Sequence, residues 1–148
     1  MTAASPPSRP RVVDLAFWCF IGAAVIIIVG GLMASTATYD VARAAIPTTV
    51  GDEQVRNYLT IYRFTGVGAV VAAAALAFLA GRARRGDARF RLATLGLAFA
   101  TFIVIGLLAI GVGVAQPLIL LGLFPLLIGV LLFVQPSARL WYAQEDPS

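Results

Sequence analysis

The chain contains no histidine and no lysine, and its single cysteine, Cys19, lies inside an apolar run. These absences exclude metal sites built from histidine and cysteine, Ser-His nucleophile pairs and Schiff-base lysines. Asp40, Asp52 and Glu53 remain between the first two apolar runs, but their spacing sets none of them against a nucleophile or a phosphate-binding loop. The sequence therefore predicts a protein that is not an enzyme and that holds no cofactor and no metal.

Charge of either sign is also scarce, since 12% of the 148 residues are charged and 60% are hydrophobic. A soluble fold of this size cannot bury so much apolar surface. Four apolar runs, at about 15–34, 62–80, 92–114 and 118–134, are long enough to cross a hydrocarbon core of about 30 Å. Only helices satisfy their own backbone in lipid. The sequence predicts an all-α polytopic membrane protein with four transmembrane helices in an antiparallel bundle.

The arginines are distributed unequally between the two ends of these four spans, which predicts the orientation. One end carries Arg9, Arg11, Arg139 and the five arginines of the segment 81–91, and the other carries Arg43, Arg56 and Arg63. The arginine-rich side is expected in the cytoplasm of a multi-pass plasma (inner) membrane protein. Residues 1–13 are then a disordered cytoplasmic tail, 14–138 the transmembrane domain, and 139–148 a second cytoplasmic tail. A cleaved signal peptide is the alternative, but an apolar run of about 20 residues exceeds the roughly 7–15 residues usual for the apolar region of a signal peptide.

The segment "GRARRGDARFR" lies between the second and third spans. Its five arginines are Arg82, Arg84, Arg85, Arg89 and Arg91. A basic loop beside a span attracts anionic lipids, so we expect these side chains to contact the headgroups of anionic phospholipids. No aromatic platform accompanies the charge, and a nucleic-acid partner is therefore not expected.

The residues 35–61 form the longest segment outside the spans, and their second half has helical periodicity. Val55, Tyr58, Leu59 and Tyr62 follow one another at i, i+3, i+4 and i+7, after acidic residues that favour a helix start. The pattern predicts an amphipathic helical extension running into the second span. Its apolar stripe is free to rest on the membrane, on the other helices or on a partner.

A ridge of small side chains follows in the second span, at Ala69, Ala73, Ala77 and Gly81. Helices in lipid associate where small residues allow their backbones to approach closely. The ridge therefore predicts close helix packing, either within the protein's own bundle or against a partner.

The opening "RPRVVDLAFWCFIGAA" and the ending "LLFVQPSARLWY", in a chain rich in arginine and free of lysine, resemble small four-helix inner-membrane proteins of mycobacteria and their relatives. Some of those are accessory subunits of envelope machines such as Mce-type lipid importers. The resemblance implies a non-catalytic accessory or stabilising subunit of a larger integral membrane complex, with a lipid transporter permease as the partner. The alternative is a small homo-oligomeric transporter or a lipid-binding membrane protein. Ion-coupled transport is disfavoured, because no ionisable residue lies at the middle of a span.

Overall fold

The computed structural model describes residues 9–113 and 116–145, and within these ranges the chain is all-helical and has no strand. The helices are α1 (Arg11–Ser35), α2 (Tyr39–Ala45), α3 (Asp52–Ala83), α4 (Ala88–Leu107), α5 (Pro117–Phe133) and α6 (Pro136–Glu145), and a π-helical turn, Leu108–Val112, continues α4. The predicted all-α class is confirmed. Residues 1–8 and 146–148 of the predicted tails, and the last residue of the span predicted at 92–114, lie outside the described residues.

Three helical segments are long and apolar enough to cross a membrane: Arg11–Ser35, Asp52–Ala83 and Ala88–Gly111. A fourth candidate consists of α5 and α6 together, which are bent by 59° at the break between them. Pro136 begins α6, and because a proline disfavours helical backbone at the residue before it, the bend falls at this point. The chain therefore has three to four candidate spans, as expected of a multi-pass membrane protein.

The α3 helix contains both the predicted amphipathic extension and the predicted second span. Its 32 residues give a length of about 48 Å at 1.5 Å per residue, which exceeds a hydrocarbon core of about 30 Å. Several turns of α3 must therefore extend beyond the hydrocarbon. We call the end with α2 and the start of α3 the loop end, and the end with the α3–α4 turn and the start of α1 the basic end.

The first helix is central, because it packs against both α3 and α5. Two adjacent glycines make this possible. A Cβ on Gly31 would lie 2.6 Å from the carbonyl oxygen of Gly66 in α3, and a Cβ on Gly30 would lie 2.9 Å from the backbone nitrogen of Ile119 in α5. Since both distances are shorter than van der Waals contact, only glycine permits these backbone approaches.

The basic end is closed by a buried aromatic cluster to which α6 contributes. The rings of Phe20 and Phe133 lie 5.0 Å apart, and the ring of Tyr142 lies 6.0 Å from that of Phe133. The hydroxyl of Tyr142 donates to the carbonyl oxygen of Ala83 at 2.6 Å, which ties α6 to the end of α3. Residues 139–145, part of the predicted second tail, thus belong to a helix that packs on the core.

Candidate functional site

The loop end contains an open cavity of about 800 Å³ between the end of α1, the short helix α2 and the first turns of α3. Most of its wall is aliphatic and none of its lining residues is charged. The lining consists of Met33, Thr36, Ala37, Thr38, Val41, Ala42, Ala45, Ile46, Val50, Gln54, Val55, Tyr58, Leu59 and Tyr62. We call this space the loop-end cavity.

The helix α2 forms one wall of the cavity, and local sequence signals set both of its ends. Thr38 is the N-cap, and its side chain accepts from the backbone N–H of Val41. Pro47 follows Ile46, which adopts the extended backbone that a residue before proline favours. Because α2 has seven residues and buries none of them completely, it depends on tertiary contacts to keep its place.

Arg43 supplies the strongest of these contacts. Its guanidinium donates to three backbone carbonyl oxygens of the following loop, those of Ile46 at 3.4 Å, Pro47 at 2.6 Å and Val50 at 2.8 Å. It also pairs with a carboxylate oxygen of Asp52, the first residue of α3, at 3.2 Å. One side chain therefore holds α2, the loop and the start of α3 together around the cavity.

The other two arginines of the loop end also brace the cavity. Arg63 Nε donates to the carbonyl oxygen of Ala37 at 2.8 Å, which ties α3 to the connection between α1 and α2. The guanidinium of Arg56 lies 5.6 Å from the ring centroid of Tyr39 in α2, within the range of a cation–π contact. All three arginines that the charge count assigned to this end are thus engaged in contacts that shape it.

The apolar stripe predicted on the extension faces this cavity. Val55 and Leu59 are buried, and Tyr58 and Tyr62 are half-buried with their rings stacked 5.9 Å apart. Among the described residues, neither phenol hydroxyl has a hydrogen-bond partner. The cavity therefore combines an aliphatic wall with two phenol groups that can donate to a ligand oxygen.

Only part of the small-residue ridge of α3 packs against another helix. Ala69 and Ala73 are buried in a core cluster with α1 residues, and Ala77 is half-buried beside them. Gly81 does not share this packing, because a Cβ added to it would meet nothing within 4 Å. Among the glycines of α3, the one that meets another backbone is Gly66, outside the predicted ridge, where an added Cβ would lie 2.5 Å from the carbonyl oxygen of Gly31.

The five arginines of the segment 81–91 occupy different surroundings. Arg91 donates from Nη2 to the carbonyl oxygen of Phe133 at 2.7 Å and is half-buried. Arg84 is half-buried beside α1, and Arg82, Arg85 and Arg89 are exposed. Arg84 and Arg91 are therefore hydrogen-bonded to other helices, whereas the exposed Arg82 contacts aromatic rings.

Sequence reasoning missed the α2 wall and the role of Arg43. A capping threonine before "YDVARAA" and a proline after it were the available signals for α2. No local sequence pattern predicts the hydrogen bonds of Arg43, because its partners come close to it only when the loop after α2 has folded. In the described ranges, no three residues of the types His, Cys, Asp and Glu lie close enough together to hold a metal.

No family model, no curated protein and no solved structure matches this chain. The comparisons therefore show no resemblance to a family, and the resemblance to small mycobacterial membrane proteins stays a prediction.

Proposed function

We propose that this protein is a non-catalytic, lipid-binding accessory subunit of a larger inner-membrane complex that moves lipid across the envelope. The observation that carries this proposal is the loop-end cavity. Its volume, about 800 Å³, lies within the range of about 300–1,000 Å³ typical of small-molecule sites. Most of its wall is aliphatic and none of its lining residues is charged, and so it suits an acyl chain rather than a polar metabolite.

The polar groups of the cavity favour a lipid with an oxygen-bearing head. The unpartnered hydroxyls of Tyr58 and Tyr62 can donate to an ester or headgroup oxygen, while Val41 and Leu59 contact the chain. A hydrogen bond at the head and apolar contact along the tail are the usual division in such sites.

The orientation that we propose has both termini in the cytoplasm and four spans arranged antiparallel. The excess of arginine at the basic end supports it. The loop-end cavity then lies at the outer surface of the inner membrane, where a lipid leaving or entering that leaflet would reach it.

The accessory role is supported by the lack of charge within the spans. Asp14, Arg63 and Arg91 lie at the edges of the apolar stretches, and no charged residue lies deeper within them. Coupling to protons or ions normally uses such residues. The energy for moving lipid would therefore come from a larger partner, in keeping with the resemblance to subunits of lipid importers.

Photo-crosslinking with a diazirine-labelled phospholipid in nanodiscs tests lipid binding directly. We expect crosslinks on peptides from α2 and the first turns of α3. Ala42→Trp places a large ring in the cavity, whereas Ala44→Trp makes the same change on the exposed side of α2, outside the lining. The first should reduce the crosslinked fraction about tenfold or more and the second should leave it unchanged. Equal labelling of both variants would contradict the proposal.

Purification from native membranes in a mild detergent separates the accessory role from its alternative. Stoichiometric recovery of a larger membrane protein supports an accessory subunit. A homodimer or homotetramer without any other protein would instead support a small self-assembling transporter or lipid-binding protein.

A further inference from the structure

We propose that a notch at the basic end binds the phosphate group of an anionic phospholipid. Five residues line this notch, whose volume is about 440 Å³: Arg9, Phe17, Gly81, Arg84 and Arg85. We call it the basic notch. It lies at the opposite end of α1 from the loop-end cavity, and the proposal does not depend on lipid binding there.

The charges around the notch do not cancel. One carboxylate oxygen of Asp14 accepts from Arg9 Nη1 at 3.0 Å and from Arg84 Nε at 3.1 Å. Arg85 has no side-chain hydrogen bond within the described ranges. Three guanidinium groups line the notch, and two of them share the one carboxylate of Asp14, which leaves two positive charges and most of the guanidinium N–H donors for an anion. A phosphate group fits these free charges and donors, because arginine binds phosphate oxygens through paired N–H groups.

An aromatic side chain holds Arg84 in position before any ligand binds. The guanidinium carbon of Arg84 lies 4.5 Å from the ring centroid of Phe17 and 5.8 Å from that of Trp18. Stacking on Phe17 and the bond to Asp14 together restrict the orientation of the guanidinium plane. A preorganised donor loses less conformational entropy when it binds an anion.

Gly81 leaves the space that a ligand needs. A Cβ at this position would meet nothing within 4 Å, so no helix contact explains the glycine. Its missing side chain instead opens the notch between α1 and α3. Gly81, the last residue of the small-residue ridge, therefore lines the proposed phosphate site instead of packing against another helix.

The surroundings of the notch indicate that its phosphate comes from a lipid and not from solution. Trp18 is 60% exposed and Leu15 is 56% exposed on the neighbouring surface of α1. Tryptophan beside arginine at the end of a span is typical of the membrane interface. Acyl chains can therefore pass along Leu15 and Trp18 while the phosphate occupies the notch.

The neighbouring arginines provide controls, because they lie at the same end of the molecule but outside the notch. The guanidinium carbon of Arg82 lies 5.9 Å from the ring centroid of Phe78 and 5.3 Å from that of Phe90, and Arg91 donates to the carbonyl oxygen of Phe133. Arg89 is exposed and does not line the notch. A site and a diffuse basic surface can thus be distinguished by comparing Arg85 with Arg89.

Native mass spectrometry of the purified protein, titrated with phosphatidylglycerol or phosphatidylcholine, tests the proposal. We expect tighter retention of phosphatidylglycerol, and Arg85→Gln should weaken it about tenfold or more, the effect of losing a hydrogen bond from a charged donor. Arg89→Gln removes the same charge and should change affinity less than about twofold. Gly81→Leu keeps the net charge, fills the notch, and should weaken binding at least as much as Arg85→Gln.

Three results would overturn the proposal. Equal losses in Arg85→Gln and Arg89→Gln, with none in Gly81→Leu, would mean that the basic end attracts anionic lipid without a defined site. Equal retention of the two lipids would mean that the notch does not select a phospholipid by its net negative charge, since both lipids carry a phosphate group. Displacement of phosphatidylglycerol by inorganic phosphate at low concentration would assign the notch to a soluble anion. Circular dichroism of each variant confirms that the helices are intact, so that a loss of binding is not a loss of fold.

Discussion

The backbone contact between Gly31 and Gly66 makes a sharp prediction about the stability of the helix pair α1 and α3. A Cβ on Gly66 would lie 2.5 Å from the carbonyl oxygen of Gly31 and 2.7 Å from the backbone nitrogen of Ser35, whereas ordinary contacts of a Cβ are 3.4–4 Å. Because both obstacles are backbone atoms, no side-chain rotation relieves the overlap. The Gly66→Ala protein must therefore separate the two helices by about 1 Å, and such overpacking costs about 1–3 kcal/mol.

Gly68→Ala is the matched control, since a Cβ at Gly68 in the same helix would meet nothing within 4 Å. Both substitutions gain up to about 1 kcal/mol of helix propensity, so the difference between the two variants isolates the backbone contact. At roughly 2–4 °C per kcal/mol for a chain of this size, Gly66→Ala should melt about 2–12 °C below Gly68→Ala.

The measurement is thermal unfolding in detergent, followed by the helical circular dichroism signal at one fixed heating rate, because irreversible unfolding makes the midpoint depend on that rate. Gly68→Ala should melt at or above the midpoint of the unchanged protein. Coinciding midpoints for the two variants would refute the close approach of α1 and α3 at this crossing.

Three further predictions concern the two ends of the molecule. A reporter fused near Gly86 should behave as cytoplasmic and one inserted near Thr49 as exported, and an exported signal at Gly86 would overturn the proposed orientation. Arg43→Gln removes charged hydrogen bonds, each of about 1.5–3 kcal/mol, and should speed amide hydrogen exchange in residues 46–51 while leaving α5 unchanged. Tyr142→Phe deletes the donor to Ala83 and should cost about 1 kcal/mol, lowering the melting midpoint by roughly 2–4 °C; an unaltered midpoint would mean that this bond does not hold α6.

The apolar segments and their helical state could be predicted from the sequence, because each depends on composition within one local window. The start of α3 at Asp52 is of the same kind, since acidic residues and an apolar repeat mark it within a few positions. Both signals act along the chain and need no knowledge of the other helices.

The packing partners of the small residues could not be predicted, because they depend on where two helices cross. Gly66 and Gly81 both lie in stretches rich in small residues, yet the first touches the backbone of α1 and the second faces open space. A repeat of small residues along one helix does not indicate which of its turns contacts a neighbouring helix. The loop-end cavity could not be predicted for a related reason. Its shape depends on the hydrogen bonds of Arg43, and these form only when the loop after α2 has folded back.

The central place of α1 also constrains how the protein is made. Its first neighbour, α3, is synthesised soon after it, but the second, α5, is the last long helix of the chain. The ring of Phe20 in α1 lies against Gly129 of α5, where a Cβ would be only 3.2 Å from ring atoms. Until that part of the chain has been inserted, one face of α1 has lipid where its helix partner belongs. Ribosomes that stall before Gly129 should therefore leave an incompletely assembled membrane intermediate, a substrate for membrane proteases rather than a smaller working version of the protein.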